Sequence, residues 1–490
     1  MYQAVIAVTR EVAIRARPRA KFFSWFVLGL SIGLLMVVNS QLSGDQLQLL
    51  NLGWQLSHNH LWVPHGMITS AGGFSPGGFS ALLVAGPLYL WNDYRAPALC
   101  MLLCHAAAFL LLIRTLKPGL TQSGSFVLLV LLWLSPWHLY FASHIWDANY
   151  MYVFAVLHLV TAQRMAQRRE VLITAAHVLV LGLSVQVHTS GAVLCILSLL
   201  LFALGRLKIS WTGLVLGAAI CVASLVPWFL AVSHDPALLP VGKGFVLRGL
   251  VFVFPLLRGI LYWLKLSSLT FVERMYDLDF TGVVGPLAAS ALGTVDRVLA
   301  TLAQATLVGA VWLQWRFFRR AWCASRRYLK RDVQEYRPQQ WLRFYVFAMG
   351  VATLISFALS PTTIMFWQVF VAMPASAVAM VMSAEVLFRS RFKPLAQWLA
   401  GGWALLSVAL LMSQAVAAPM YRCGISADES LPMLVDLHAT GGCADAHHRR
   451  LTYGAPSSLN KARAPYTTRS ASSTAALSTA TARLSDASYQ

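Results

Sequence analysis

Residues 76–91 read PGGFSALLVAGPLYLW, and the topology of the chain turns on whether they cross a membrane. Counted as a span, they place the basic loops Arg114/Lys117, Arg164/Arg168/Arg169 and Arg206/Lys208 on the outer side. Left out, all three loops fall on the cytoplasmic side, together with the basic stretch Arg316 to Arg337 and the loop Arg389/Arg391/Lys393. Cytoplasmic loops collect Lys and Arg, so the second arrangement is the expected one. We read 76–91 as an interfacial or half-inserted helix on the outer side. The segment 245–270 carries Arg248, Arg258 and Lys265 and is broken by Pro255, and it is placed at the outer interface for the same reason.

Working outward, the rest of the chain fits one membrane domain. Of 490 residues 58% are hydrophobic and 11% charged, far too few charges for the surface of a soluble domain of this size. The mean hydropathy is +0.63. A net charge of +20 would suggest nucleic acid in a soluble protein, but here the basic residues sit in short loops and form no single face. The first apolar run, Phe22 to Val38, follows five basic residues from Arg10 to Lys21 and has no A-x-A site after it. It reads as an uncleaved first helix with a cytoplasmic N-terminus, 1–21. Further apolar runs at 95–114, 124–141, 146–162, 171–187, 190–204, 211–231, 295–315, 341–360, 363–388 and 397–418 give about eleven spans. The expected fold class is therefore an all-α polytopic membrane protein with outer juxtamembrane helices. Its membrane domain covers 22–420, with large outer loops 40–94 and 232–294, and its C-terminus lies outside. Residues 421–490, rich in Ser, Thr, Ala and Arg beyond Ala455, are too poor in large apolar residues to build a core and read as a largely disordered extracytoplasmic tail.

The seven cysteines show no metal-ligand spacing. Cys100, Cys104, Cys195 and Cys221 lie in apolar runs and pack as small hydrophobes. Cys423 and Cys443 follow the last run, where an oxidising compartment would allow a disulfide between them.

Few residues carry chemistry. Asp45, in SGDQLQLL, lies just past the first helix, where a base meets a substrate arriving from the bilayer; it equally suits the cap of the next helix. Asp147, in SPWHLYFASHIWDAN, is a second acid at an outer helix end, with His144, Trp146 and Asn149 beside it. Such acids are costly unless water or partners reach them, and an aromatic wall with polar groups suits a small-molecule site. Gln186 and His188, in LSVQVHTSG, mark an outer turn on the same side, although a pair of this kind often serves only to join helices. Lys243, Arg248 and Arg258 can meet a phosphate at headgroup level or simply anchor to anionic lipid. His58, His60 and His65 resemble metal ligands but lack an i, i+4 pair or a fixed acid partner, so no metal or other cofactor is assigned. No P-loop or dinucleotide fingerprint is present, and a nucleotide substrate is unsupported.

The order of these features resembles the C-type (GT-C) integral membrane glycosyltransferases, which include aminoarabinose transferases of lipid A and protein O-mannosyltransferases. That family has a first helix, an outer loop with an acid, and two juxtamembrane helices before the second span. Asp45 in SGDQLQLLNLGWQL matches the acid, and 46–56 with 76–91 match the two helices. Asp147 matches the second outer acid, W-D-A-N resembles the W-N-P-N of some relatives, and Gln186-Val187-His188 matches a recurring Q-x-H. Segment 245–270 would be a third juxtamembrane helix, and the resemblance spans about 20–390. Two departures stand out. Asp45-Gln46-Leu47 lacks the second acid that a metal-dependent mechanism would use, and TIMFWQVFVAMP has Trp367 or Gln368 where relatives often carry an Arg.

The resemblance implies inverting transfer of a sugar from a polyprenyl-phosphate carrier to a protein, lipid or glycan acceptor, at the outer face of a bacterial inner membrane. Asp45 would be the general base, Asp147 would assist it or position the acceptor, and Lys243, Arg248 or Arg258 would hold the phosphate. The rival class is a transporter or flippase of a lipid-linked saccharide, which calls for charges near mid-membrane rather than at one face.

Overall fold

The structure is a computed structural model, and it describes residues 2–40, 44–69, 73–239, 251, 253–270, 278, 280, 281, 283–329, 336–361 and 364–417, with side chains from residue 20 onward. All of these lie in the unit Met1–Cys443; the unit Ala444–Gln490, like Cys423 and Cys443, falls outside the described residues. Helices dominate because long runs of Leu, Ala and Val satisfy their own backbone hydrogen bonds, the condition for crossing lipid. In chain order the first are α1 (Tyr2–Val38), α2 (Gly44–Ser57), α3 (Phe79–Leu90), α4 (Arg95–Leu116), α5 (Gln122–Leu128) and α6 (Pro136–Ala142). They are followed by α7 (Tyr150–Gln167), α8 (Val171–Val187), α9 (Ala192–Ala203) and α10 (Trp211–His234). The last six are α11 (Phe254–Leu266), α12 (Pro286–Leu329), α13 (Pro338–Leu359), α14 (Phe366–Val369), α15 (Met373–Phe388) and α16 (Lys393–Val416).

The chain is an integral, multi-pass membrane protein. Seven helical stretches among the described residues are long and apolar enough to cross a bilayer, and a bent pair makes eight. The eleven spans expected from sequence include α7, α8 and α9, which do not pass that test of length and apolarity. α3, at 12 residues, is about 18 Å long and too short for a hydrocarbon core of about 30 Å.

Three expectations need correction. The run 124–141 is not one straight helix: α5, a π-helical turn at Leu129–Trp133 and α6 meet at a 59° bend. The cause is Pro136, which opens α6 and drives Ser135 into extended backbone. The run 146–162 begins later than expected, so Trp146 and Asp147 lie in a turn before α7. Pro255 sits in the first turn of α11, where its missing N–H costs nothing, and α11 opens just after a bend at Val253; residues 245–250 lie outside the described residues. The all-α expectation also omitted a small hairpin, β1 (His65–Ile68) antiparallel to β2 (Phe74–Pro76), with His65 opposite Pro76.

α2 lies along α3, α8 packs between α7 and α10, and α1 lies against α4 and α16. α10 approaches α8 so closely that a Cβ at Gly217 would stand 2.7 Å from the Ala175 carbonyl, a packing only small residues permit. At the far end of α5, Glu385 of α15 accepts hydrogen bonds from the Thr121 backbone N–H and hydroxyl, both 2.7 Å, while Thr121 itself caps α5 through Gly124 N–H.

Candidate active site

The site grows from the turn between α6 and α7. His144, the second residue after α6, is buried; its Nδ1 donates to the Tyr140 carbonyl at 2.6 Å, and its ring stacks on Tyr140 at 4.1 Å. Burial holds its pKa down at about 4. Asn149 closes the turn by donating from Nδ2 to the His144 carbonyl at 2.8 Å. Between them, Trp146 is extended and half-buried, and Asp147 is buried, its Oδ1 accepting the Ala148 N–H at 2.7 Å. Burial pushes the Asp147 carboxyl up to about 7, against two backbone hydrogen bonds that favour its charge.

Asp45 enters from the first turn of α2, where the helix dipole favours a carboxylate. Its surface is exposed, yet enough protein surrounds the carboxylate to raise its pKa. The causes, in order, are burial and the charge of Asp147, offset by a hydrogen bond from the Trp146 side chain and by His188. The Trp146 indole can only donate, so the Asp45 carboxylate accepts. Four of the expected residues (Asp45, Trp146, Asp147 and His188) therefore meet.

His188 is held in one tautomer. Its Nδ1 accepts the Ser190 backbone N–H at 3.2 Å, which leaves the ring proton on Nε2. Burial lowers its pKa to about 4 although Asp45 pulls it upward, so it faces Asp45 as a neutral group.

Gln186 does not join them. Its amide donates to Ser224 of α10 at 2.8 Å, and its carbonyl faces Gly77 at the end of the hairpin, where φ is +81° and a Cβ would collide with that oxygen. His58, His60 and His65 also do not converge. His58 stacks on Trp54 at 3.7 Å, His60 holds a left-handed turn, and His65 donates from Nδ1 to the Gly66 carbonyl. No group of three or more His, Cys, Asp or Glu suited to a metal gathers among the described residues.

Of the three cations, Lys243 and Arg248 lie outside the described residues. Arg258 is half-buried on α11, its Nε donating to the Tyr262 hydroxyl at 3.1 Å. Tyr262 leads back to the acids through Phe366 of α14. The Phe366 ring lies 6.1 Å from Tyr262, 6.4 Å from Trp146, 5.9 Å from Phe141 and 4.9 Å from Trp367. Trp367 in turn packs on Trp146 at 5.2 Å. Gln368 is used locally, its Oε1 accepting the Met365 N–H. Phe366 and Tyr262 escaped the sequence reading because an aromatic in an apolar run looks like core; nothing in the sequence marks them as neighbours of Trp146.

No protein-family description matches the chain, and no curated protein does. Solved structures do. ArnT from Cupriavidus metallidurans bound to undecaprenyl phosphate aligns over 87% of this chain and 88% of its own, with 13% identity and a TM-score of 0.51. The same protein in the apo state aligns over 86% and 77%, with 13% identity and a TM-score of 0.46. The Archaeoglobus fulgidus oligosaccharyltransferase in the apo form aligns over 82% and 57%, with 13% identity and a TM-score of 0.43. The first of these is close enough to define the fold, which is that of the GT-C integral membrane glycosyltransferases.

Proposed function

We propose that this chain is a membrane glycosyltransferase that moves a hexosyl or pentosyl group from a polyprenyl-phosphate carrier to an acceptor hydroxyl at the outer membrane face, with inversion. The observation that carries the reading is the meeting of an exposed carboxylate, Asp45, with a buried one, Asp147, at one end of the helical bundle. The likeness to an ArnT bound to undecaprenyl phosphate supports a lipid-linked donor. In this reading the carrier phosphate enters sideways from the bilayer toward Arg258, with Lys243 or Arg248 as further cations. Asp45, ionised, takes the proton of the acceptor hydroxyl as its oxygen attacks the anomeric carbon. The bond from that carbon to the phosphate oxygen breaks, and the phosphate leaves as an anion stabilised by the cation rather than by a proton. Asp147 and neutral His188 orient the acceptor beside Asp45. Acceptors of this chemistry are hydroxyls of a protein, lipid or glycan.

The test is transfer from a radiolabelled polyprenyl-phosphate sugar in membranes, normalised to protein level. Asp45→Asn keeps size and hydrogen bonding but removes the base, and transfer should fall by roughly 10²-fold or more. Full activity in Asp45→Asn would remove this mechanism, and absence of transfer in the parent chain would favour a flippase of lipid-linked saccharide.

A further inference from the structure

Beneath the 144–149 turn lies a pair of histidines that the chemistry above does not use. His105 of α4 is fully buried, with Nε2 3.0 Å from the Asn149 carbonyl oxygen and Nδ1 3.2 Å from Nε2 of His138 on α6. A carbonyl can only accept, so His105 carries its proton on Nε2. Its Nδ1 is then an acceptor, and His138 donates from Nε2. One arrangement of two protons fills both bonds and leaves both rings neutral. The rings have no room to turn: His105 stacks on Tyr152 at 4.8 Å, and His138 packs on Tyr152 at 4.4 Å and Trp133 at 5.3 Å.

The bond matters because of what Asn149 does. Its carbonyl is taken by His105, its side-chain amide by the His144 carbonyl, and its backbone N–H by the Trp146 carbonyl at 3.1 Å. Trp146 and Asp147 are the residues these bonds enclose. We propose that His105, oriented by His138, is a positioning residue: its hydrogen bond to the Asn149 carbonyl fixes the turn that presents Trp146 and Asp147 to Asp45. The clamp rests on geometry alone; only its effect on turnover rests on the glycosyl-transfer reading.

Loss of the bond frees the turn and admits water to Asp147. The groups that face Asp147 are Asp45 from α2, with His188 beyond it, and His144 within the turn. α7, packed against the turn, brings Tyr150 and Tyr152, while α14 and the Phe370–Ala372 turn bring no titratable side chain. Solvation of Asp147 therefore lowers the pH at which it ionises.

The test uses the full chain in lipid nanodiscs, as parent and as His105→Leu, His105→Asn and His105→Gln. The amide nitrogen of Gln falls near the place of Nε2 and restores the donor, whereas that of Asn falls near Nδ1 and does not reach. Two quantities are read: kcat and KM for transfer, and the pH dependence of Asp147 modification by dicyclohexylcarbodiimide, followed by peptide mass spectrometry. The carbodiimide reacts with the protonated acid, so its midpoint lies near 7 in the parent. In His105→Leu and His105→Asn the midpoint should fall by about one pH unit or more, and kcat by roughly 10-fold or more, with KM nearly unchanged. His105→Gln should recover both. Should His105→Leu not fold, His105→Asn against His105→Gln decides. An unchanged midpoint in His105→Asn, or a His105→Gln as impaired as His105→Asn, overturns the clamp. Absence of transfer in the parent would instead count against the glycosyltransferase reading, and the labelling would still decide the clamp.

Discussion

The His105–His138 pair under the turn and the His158–His177 pair among α7, α8, α9 and α13 are made of the same parts and end differently. In the second, the Tyr345 hydroxyl donates to Nδ1 of His158, and His158 Nε2 donates to the Ser198 hydroxyl, both at 2.8 Å. Ser198 donates to Nε2 of His177 at 2.9 Å, and His177 Nδ1 donates to the Thr161 hydroxyl at 2.7 Å. Thr161 ends the series on the Leu157 carbonyl at 2.9 Å. Followed in that direction, every donor meets an acceptor with both imidazoles neutral. The pair under the turn also reaches a backbone carbonyl, that of Asn149, but at its other end His138 Nδ1 is buried without a partner. Around it, among the described residues, Asn149 Oδ1 and the hydroxyls of Tyr150 and Tyr152 are buried without a hydrogen-bond partner. A polar cluster closed on itself specifies how helices pack, while one with unused capacity marks where the molecule is shaped for something besides its own stability.

The comparison can be broken most sharply at turnover. Asp147→Asn should lower transfer by roughly 10-fold or more, whereas His158→Leu should leave kcat per folded molecule within about twofold. A His158→Leu protein that folds but does not turn over would end the distinction. Turnover also has a pH signature. Asp45 must be ionised to act as base, and both acids have raised pKa values, with Asp147 at about 7. Transfer should therefore climb as pH rises through the raised pKa of Asp45 and then level off; a profile flat from about pH 4 to 8 would exclude Asp45 as the group that titrates.

In stability the ranking reverses. His158→Leu strands the Tyr345 and Ser198 hydroxyls in the core and should cost about 1–3 kcal/mol, read as a lower melting temperature in detergent. Asp147→Asn should cost nothing and gain at high pH. The folded Asp147 holds its proton to about 7, against an unperturbed 3.8, so the unfolded chain ionises first and stability is lost as pH rises through that window. The melting temperature of Asp147→Asn relative to the parent should accordingly rise between pH 4 and 7 and then stay level. The smallest effect is expected at the opposite end of the bundle. Thr121→Val removes a cap and one bond to Glu385, and should cost about 1 kcal/mol with turnover untouched.

Asp45, Asp147 and His188 stood out in the sequence for one reason, and Trp146 only as the aromatic neighbour of Asp147. Ionisable groups are scarce in so apolar a chain, and those that persist at helix ends have a task. What stayed hidden was anything whose meaning lies in a neighbour distant in sequence. His105 and Phe366 look like ordinary core until His105 is seen beneath Asn149 and Phe366 beside Trp146. Gln186 joins α8 to α10 through Ser224, the helix-joining alternative that the sequence offered without naming the partner 38 residues away. The bend at Ser135-Pro136 was written in the dipeptide itself, but an unbroken hydropathy run masked it.

Phe366 gives the site a mechanical property. Its ring touches aromatics from α6, from the 144–149 turn and from α11, so three separately anchored pieces share one bearing. Protein interiors are close-packed and transmit displacement rather than absorb it. A shift of α11, the helix that carries Arg258, cannot be absorbed at that bearing. It reaches Trp146 and, through the indole hydrogen bond, the carboxylate of Asp45. The cation at one edge of the site and the acid at the other thus move as ends of a single lever.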